Sequence, residues 1–230
     1  EQNQQSLNLY AITLDSNTSK AIDISESFTP EYIHINNEKS FNKIKEDNEI
    51  NSKVLNGSSD LSALINDDNV DIIVSAITGF AGLEATAIAS KTGKTILLAN
   101  KESIVAAGEL ILLSAESSGT TIIPIDSEHN AIFQCLAGEK NTDDVSKIII
   151  TASGGPFLNK SLSSLKGVTK EQALKHPNWS MGSKISIDSA TLVNKCLELI
   201  EAKYLFGLDE QFFELVIHPQ SIVHSIVSYR

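Results

Sequence analysis

Two carboxylates separated by a single residue, Asp126 and Glu128, are the side chains of this sequence best placed to do chemistry. They follow an apolar run at residues 121–125 that predicts a buried strand. Side chains two apart on an extended chain point to the same side, and two close carboxylates repel unless a proton or a cation lies between them. A hard divalent cation such as Mg²⁺ or Mn²⁺ suits such oxygens. Alternatively, one carboxylate only caps a helix that begins near His129.

A polar stripe on a predicted helix offers a third carboxylate. The helix opens at Asp188-Ser189, and Asn194, Glu198 and Glu201 follow at the spacings i, i+4 and i+7, which place them on one face. Apolar neighbours predict that most of this helix is buried, so the stripe faces either solvent or a site. Glu198 is a candidate partner of the carboxylate pair; the alternative is an exposed stripe with an ordinary ion pair to Lys195. The side chains suited to an anionic group are Ser189, Asn194 and Lys195.

Two loops have compositions that suit a ligand site. Ser153-Gly154-Gly155 ends a predicted strand, where glycine lets backbone N–H groups approach a ligand closely, although a plain Gly-Gly-Pro turn explains it equally well. Residues 176–182 contain the only Trp and the only Met of the chain, between Pro and Gly, as in a lid that closes over a substrate. The alternative is a Trp that anchors the loop to the core. His218 and His224 are interpreted as hydrogen-bonded core residues.

The elements that must position these side chains follow a regular order from residue 70 onward. Strand-like runs alternate with helical runs through short links, which predicts a parallel, right-handed, Rossmann-like α/β sheet. The predicted strands are 70–77, 95–99 and 121–125, and the predicted helices are 82–90 and 103–117. The β-branched run at 70–77 predicts a strand buried on both faces. The core-facing candidates of the second helix are Ile104, Leu110, Ile111 and Leu113.

The alternation stops near Asp126, and the strand-like segments beyond it no longer alternate regularly with helices. We therefore predict two domains: a Rossmann-like parallel sheet domain over residues 1–125 and an α+β domain over residues 126–230. Both ends of the sequence lack the caps and turns that close a domain, so we expect a fragment of a longer protein.

Composition narrows the classes of function. The sequence has 29 acidic and 18 basic residues, which argues against nucleic-acid or anionic-membrane partners but leaves small anionic substrates open. No run approaches the length of a membrane span. Cys135 and Cys196 fit neither a zinc spacing nor a disulfide framework, which favours a reducing compartment. We expect a cytoplasmic location, with a plastid-type organelle as the alternative if a transit segment was removed.

Several short motifs, in this order, give the sequence a specific family resemblance. They are Ala99-Asn100-Lys101-Glu102-Ser103, residues 124–134, Ser153-Gly154-Gly155-Pro156-Phe157, residues 176–182, Asp188-Ser189-Ala190-Thr191, Asn194-Lys195 and Ile217-His218-Pro219-Gln220-Ser221. The chain resembles the 1-deoxy-D-xylulose-5-phosphate reductoisomerases of the non-mevalonate isoprenoid pathway. The resemblance is dense from residue 70 to residue 230 and thin before it. It implies NADPH-dependent rearrangement and reduction of 1-deoxy-D-xylulose 5-phosphate to 2-C-methyl-D-erythritol 4-phosphate, with Mg²⁺ or Mn²⁺, in a homodimer.

The resemblance also implies a role for individual residues. The implied metal ligands are Asp126, Glu128 and Glu198. The implied contacts of the substrate phosphate are Ser153, Ser189, Asn194 and Lys195, with His176 beside them. Lys101 and Ser127 would contact the rest of the substrate, and Trp179 would belong to the lid. The implied cofactor contacts are Asn17, Asn100, Glu102, Met181 and Gly182, with Met181 near the nicotinamide.

Three departures from the family pattern accompany the resemblance. The glycine-rich turn that binds the pyrophosphate does not occur in this sequence, and neither does the C-terminal helical domain. Asp15 stands where the family usually has a small or basic residue for the 2′-phosphate of NADPH, and its charge would repel that phosphate.

Two other classes of function remain open at this point. One is a non-catalytic module that binds a sugar phosphate and a metal without turnover. The other is an assembly fragment whose motifs serve packing and a dimer contact.

Overall fold

The computed structural model describes residues 7–46, 50–138, 142–175 and 181–230. Within these ranges the strands are β1 (Ala11–Leu14), β2 (Tyr32–Ile35), β3 (Lys53–Leu55), β4 (Ile72–Ser75), β5 (Thr95–Leu98), β6 (Thr121–Pro124), β7 (Val145–Ala152), β8 (Phe213–Ile217) and β9 (Ser225–Tyr229). The helices are α1 (Thr18–Phe28), α2 (Glu38–Lys45), α3 (Ser58–Asn66), α4 (Leu83–Ala89), α5 (Lys101–Ser118), α6 (Ser127–Leu136), α7 (Lys170–Ala173), α8 (Ser183–Ala190) and α9 (Val193–Phe206). None of these helices is both long enough and apolar enough to cross a membrane.

The strands form three sheets of three strands each within the described ranges. The first two, ordered β1-β2-β3 and β4-β5-β6, are parallel throughout, with Ile96 of β5 paired to Ile73 and to Ile122. In the third sheet β7 lies between β8, which runs parallel to it, and β9, which runs antiparallel. The predicted fold class, a Rossmann-like parallel sheet region followed by an α+β region, is confirmed.

The prediction that residues 70–77 form a strand buried on both faces is wrong. The strand β4 is shorter than that run, and its Val74 side chain is 59% exposed. The reason is that one face of this strand is uncovered: Ile72 and Val74, two residues apart, point to that face and are both exposed, whereas Ser75 on the other face is buried. A β-branched run indicates a strand but does not indicate which of its faces other elements cover.

Helix α5 begins two residues earlier than predicted, because Asn100 rather than a later residue caps it. The Asn100 side-chain oxygen accepts a hydrogen bond from Ser103 N at 2.8 Å. Ile104 and Ile111 lie in the core as predicted, but the core assignment of Leu110 and Leu113 is wrong, because Leu110 is 69% exposed and Leu113 is also exposed. Leu110 and Leu113 lie one residue before and two residues after the buried Ile111, and at about 100° per residue both point away from the side that Ile111 turns to the core.

The helix predicted to open at Asp188 is two helices. Helix α8 ends at Ala190, and Leu192, in the left-handed region at φ 61°, separates it from α9. The expectation that apolar residues bury most of α9 is also wrong: Val193 and Ile200 are exposed, whereas the carboxylates on the stripe are buried. Helix α9 therefore turns its polar face toward the protein interior.

Three apolar clusters form the core of the described residues. One lies around β5 and α5, a second joins α6 and β7 to α9, and a third lies within the β1-β2-β3 sheet. Helix α9 packs across α5, and a Cβ atom added at Gly108 would lie 2.8 Å from the ring of Tyr204. Leu205 of α9 also contacts the core beside β5. The packing of α9 against α5 orients the polar face of α9 toward the segments that follow β5 and β6, where Lys101 contacts Glu198.

Candidate metal and substrate site

The first two carboxylates lie where strand β6 passes into helix α6. The Asp126 side chain caps α6 by accepting a hydrogen bond from Glu128 N at 3.3 Å. Asp126 therefore caps the helix, as the alternative predicted, and its carboxylate also lies close to that of Glu128. The geometric reason given from the sequence is wrong, because Glu128 lies in the first helical turn and not on an extended chain.

Helix α9 brings a third carboxylate to this pair. Asp126, Glu128 and Glu198 each offer one oxygen, and these three oxygens all lie within 4.8 Å of one another. The side chain of Glu198 is only 1% exposed, whereas those of Asp126 and Glu128 are partly open, with 13% and 15% exposed. The cluster is therefore closed on the α9 side and accessible from the α6 side.

Two lysines interleave with the three carboxylates. Lys101 Nζ lies 2.7 Å from Asp126 Oδ2 and 3.3 Å from Glu198 Oε1. Lys195 Nζ lies 2.6 Å from Glu198 Oε2 and 3.1 Å from Glu128 Oε1. Two positive charges thus face three negative charges, and the cluster has a formal charge of one negative unit.

These contacts act on the pKa values of the site. Burial alone would lower the pKa of Lys101, but the charges of Asp126 and Glu198 outweigh it and raise that pKa above its ordinary value. Burial would raise the pKa of Asp126, yet the hydrogen bond from His129 and the charge of Lys101 hold it well below its ordinary value. Burial, and then the Asp126 charge, raise the pKa of Glu198. Asp126 is thus held ionised at neutral pH.

A histidine and a further carboxylate lie behind the cluster. His129 Nδ1 is 3.2 Å from Asp126 Oδ1 and 3.5 Å from Glu201 Oε2, and both His129 and Glu201 are fully buried. Burial would lower the pKa of His129, but the hydrogen bond with Asp126 and the charges of Glu201 and Asp126 raise it to about 9. Burial raises the pKa of Glu201 to about 7 against the opposing charge of His129.

A small pocket beside the carboxylates gathers the polar residues predicted to bind a phosphate. It is lined by Ala152, Ser153, Gly154, Ser189, Leu192, Asn194 and Lys195. Gly155 N donates a hydrogen bond to Ser153 Oγ at 3.3 Å, which fixes the loop after β7. The Asn194 side chain donates to Glu198 and accepts from Lys101 Nζ at 3.0 Å, which joins the pocket to the carboxylate cluster.

The remaining predicted site residues lie at several places. Ser127 Oγ is exposed and donates to Glu128 Oε2 at 2.9 Å. Asn100 is buried, and its amide donates to the carbonyl oxygens of Ile77 and Gly79, so it organises the loop after β4. Asn17 caps α1 by accepting a hydrogen bond from Lys20 N at 3.2 Å, and α1 packs against the β1-β2-β3 sheet.

Glu102 and the start of α8 connect the two halves of the chain. Lys184 Nζ lies 2.5 Å from Glu102 Oε1 and 2.6 Å from Asp188 Oδ2. Met181 is half-buried and Gly182 is the N-cap of α8. His176 and Trp179, predicted as a phosphate neighbour and a lid residue, lie outside the described residues.

Sequence reasoning missed two histidines of this site. His224, interpreted as a core residue, is partly exposed, with Nδ1 3.5 Å from Glu128 Oε1. His129 was considered only as the residue near which a helix begins. Its position directly after the candidate ligand Glu128 could have indicated a role in the site. Nothing local pointed to His224, which is brought to Glu128 from 96 positions away by the pairing of β9 with β7.

Comparisons with known proteins agree with this architecture. A model of the 1-deoxy-D-xylulose 5-phosphate reductoisomerase family matches residues 1–108, and a model of its C-terminal domain matches residues 122–206. The 1-deoxy-D-xylulose 5-phosphate reductoisomerase of Clostridium tetani is 48% identical over 230 residues, which cover 99% of this chain and 60% of that protein.

Solved structures give the same result. A crystal structure of a DOX-P reductoisomerase in complex with NADPH, fosmidomycin and magnesium aligns with a TM-score of 0.93 at 43% identity, over 99% of this chain and 59% of that one. The 1-deoxy-D-xylulose 5-phosphate reductoisomerase from Zymomonas mobilis in complex with NADPH aligns with a TM-score of 0.87 at 42% identity, again over 99% and 59%. This chain thus spans about 60% of the length of these relatives. It belongs to the 1-deoxy-D-xylulose 5-phosphate reductoisomerase family.

Proposed function

We propose that this protein carries out the NADPH-dependent rearrangement and reduction of 1-deoxy-D-xylulose 5-phosphate to 2-C-methyl-D-erythritol 4-phosphate. The observation that carries the proposal is the convergence of Asp126, Glu128 and Glu198 beside a small polar pocket. Family membership supports it, as does the likeness to a structure that contains NADPH, fosmidomycin and magnesium.

The donor set of the carboxylate cluster fits a divalent cation. It offers three carboxylate oxygens, which hard ions such as Mg²⁺ and Mn²⁺ prefer, and within the described residues no sulfur atom belongs to the group. Asp126, Glu128 and Glu198 would hold the ion. When bound, it supplies Lewis-acid polarisation of a carbonyl and a neighbouring hydroxyl oxygen.

The side chains around the cluster can bind and orient a sugar phosphate. Ser153, Ser189, Asn194 and Lys195 share one pocket and would hold the phosphate through hydroxyl, amide and ammonium donors. Lys101 points its ammonium group into the cluster and would donate a hydrogen bond to a substrate oxygen. The exposed Ser127 hydroxyl would contact the same part of the substrate.

The residues outside the described ranges complete the proposed substrate site. His176 would lie beside the phosphate, and Trp179 would close over the substrate and exclude water. Both assignments rest on the match of residues 176–182 to the family motif.

The cofactor belongs to the other half of the chain in this proposal. We assign NADPH binding to residues 1–125 and the metal and substrate chemistry to residues 126–230. The proposed cofactor contacts are Asn17, Asn100, Glu102, Met181 and Gly182. The parallel strands β4, β5 and β6 support this division, because ligands of such sheets bind at the carboxyl ends of the strands, where Asn100 and Asp126 lie.

We further propose a homodimer that uses the third sheet. Both of its edge strands expose apolar side chains, among them Leu215 and Ile217 on β8 and Ile226 on β9. Edge strands of this kind are suited to pairing with a second copy.

The proposed location is the cytoplasm, because Cys135 and Cys196 are both unpaired and exposed, as is usual in a reducing compartment.

Calorimetric titration with Mn²⁺, followed by an assay of NADPH oxidation with 1-deoxy-D-xylulose 5-phosphate, tests the function. We expect saturable Mn²⁺ binding that Glu198→Gln abolishes and that the exposed control Glu210→Gln leaves unchanged. Unchanged Mn²⁺ binding in Glu198→Gln would refute the metal site. Metal and substrate binding without NADPH oxidation would favour the non-catalytic module, and size-exclusion chromatography with light scattering checks the dimer.

A further inference from the structure

Behind the three proposed metal ligands lies a buried pair of ionisable side chains that contact no substrate pocket. His129 directly follows the proposed ligand Glu128 on α6, and Glu201 lies three residues, or about one helical turn, after the proposed ligand Glu198 on α9. Both side chains are fully buried. Neither is among the residues to which the proposed function gives a role.

The His129 ring joins two of the proposed ligands. Its Nε2 lies 2.9 Å from the backbone oxygen of Glu198, and because a carbonyl oxygen only accepts, this nitrogen carries a hydrogen and donates it. Its Nδ1 lies 3.2 Å from Asp126 Oδ1. One imidazole therefore holds the carboxylate of the α6 ligand and the backbone of the α9 ligand at the same time.

The orientation of the ring is fixed from two further sides. The Phe206 ring stacks on it, with centroids 6.4 Å apart and planes 12° from parallel. Glu201 Oε2 lies 3.5 Å from Nδ1, as an ion pair rather than a hydrogen bond. Within the part of the chain that the structure describes, neither carboxylate oxygen of Glu201 accepts a hydrogen bond.

A buried carboxylate with no hydrogen bond is unfavourable for folding, and an apolar side chain of similar size at that position would avoid the cost. Glu201 contacts the imidazole that touches both Asp126 and the backbone of Glu198, and this contact gives it a role that an apolar residue could not fill. Outer partners of this kind fix the orientation of metal ligands in other proteins.

We propose that Glu201 and His129 form a positioning pair for the metal site, in which Glu201 orients the imidazole and the imidazole holds Asp126 and Glu198 in converging positions. Neither residue touches the ion or the substrate. The proposal rests on the proposed function, because it requires that the carboxylate cluster binds a divalent cation.

Mn²⁺ affinity measured by calorimetry on Glu201→Gln, His129→Gln and the double variant tests the pair. We expect each single change to weaken Mn²⁺ binding by about 10- to 100-fold, the range typical of lost outer-shell partners. Because Glu201 acts through His129, we expect the double variant to bind no more weakly than His129→Gln alone. Glu210→Gln, which removes an exposed carboxylate paired with Lys203, is the matched control and retains the original affinity.

Thermal unfolding of the metal-free variants separates positioning from structure. Glu201→Gln replaces a buried carboxyl group that accepts no hydrogen bond from the described residues, and His129 keeps its contact with Asp126, so we expect the unfolding temperature to stay close to that of the unaltered protein. Wild-type Mn²⁺ affinity in Glu201→Gln would overturn the proposal, as would additive losses in the double variant or a Glu201→Gln protein that does not fold. If the unaltered protein binds no Mn²⁺, the proposed function falls together with this inference. If Glu198→Gln loses binding while Glu201→Gln keeps it, only this inference fails.

Discussion

Gly155 lies where the loop after β7 approaches the backbone of α8, and replacing it by alanine should damage both stability and substrate binding. Its φ of +68° lies in the left-handed region. A Cβ atom there would lie 2.8 Å from the carbonyl oxygen of Ser189 and 3.2 Å from Ala190 Cα. Both neighbours are backbone atoms, which cannot move aside as the end of a flexible side chain can.

Two costs add in Gly155→Ala. A left-handed conformation costs an L-residue about 1–2 kcal/mol, and inserting a carbon into a closely packed contact costs about 1–3 kcal/mol. The free energy of unfolding should therefore fall by about 2–5 kcal/mol, which lowers the unfolding temperature of a chain of this size by roughly 5–20 °C. Ser189 would be displaced from the pocket that it shares with Ser153, and kcat/KM for the sugar phosphate should fall by about 10- to 100-fold.

Gly119→Ala is the matched control for this prediction. Gly119 has nearly the same conformation, with φ +74°, but no atom lies within 4 Å of an added Cβ. It should therefore lose only the conformational part, about 1–2 kcal/mol, and keep its kcat/KM. Urea unfolding of both variants measures the difference. If the two variants lose the same free energy of unfolding within about 0.5 kcal/mol, the close approach to Ser189 does not exist and the reasoning is refuted.

Three further predictions concern the cofactor, pH and the core. On the proposed assignment of NADPH to residues 1–125, Asp15→Asn should lower KM for NADPH relative to NADH by about five-fold, because it would remove about 1 kcal/mol of repulsion from the 2′-phosphate. Steady-state kinetics with both cofactors measure the ratio. Burial would raise the pKa of Glu102, but the hydrogen bond and charge of Lys184 lower it below its ordinary value of 4.5. The ionised carboxylate of Glu102 therefore stabilises the fold above pH 4.5, and this stabilisation is lost as the pH falls through the lowered pKa. Glu102→Gln should lower the free energy of unfolding by about 0.5–1 kcal/mol at pH 7 and by progressively less below pH 4.5. Urea unfolding at several pH values measures the difference. Ile132→Ala, at a fully buried position of α6, should cost about 2–5 kcal/mol, whereas Leu110→Ala, at an exposed position of α5, should cost less than about 1 kcal/mol.

Each of these predictions has an outcome that contradicts it. An unchanged NADPH to NADH ratio in Asp15→Asn would mean that this carboxylate does not face the 2′-phosphate. A Glu102→Gln effect of equal size on both sides of its ordinary pKa would show that the charge of Glu102 is not responsible. Equal losses in Ile132→Ala and Leu110→Ala would contradict the described burial.

Features set by neighbours in the sequence could be predicted well. Parallel strands joined by helices follow from alternating runs, and the predicted helix over 103–117 ends close to where α5 ends, with Gly119 as its left-handed C-cap. The i, i+4 spacing of Asn194 and Glu198 placed them on one helical face, as observed. These properties depend on backbone geometry over a few residues, which a sequence pattern reports directly.

Features set by contacts between distant segments could not be predicted in the same way. The exposure of Val74 depends on which face of its sheet is covered, and the exposure of Leu110 depends on which side of α5 meets the core. Apolar residues alone suggested that the outer face of α9 was buried. The opposite orientation results from packing against α5, in which Gly108 admits Tyr204.

The candidate site shows the same division. By itself, the sequence determined which residue types could hold a cation and a phosphate, because carboxylates, lysines and the short motifs around them are visible in the chain order. Only the tertiary structure decided that Lys101 lies against Glu198, 97 positions away, and that His129 holds Asp126 and the Glu198 backbone together. The physical reason is that such contacts depend on how α5, α6 and α9 cross one another, and a local pattern contains no information about those crossings.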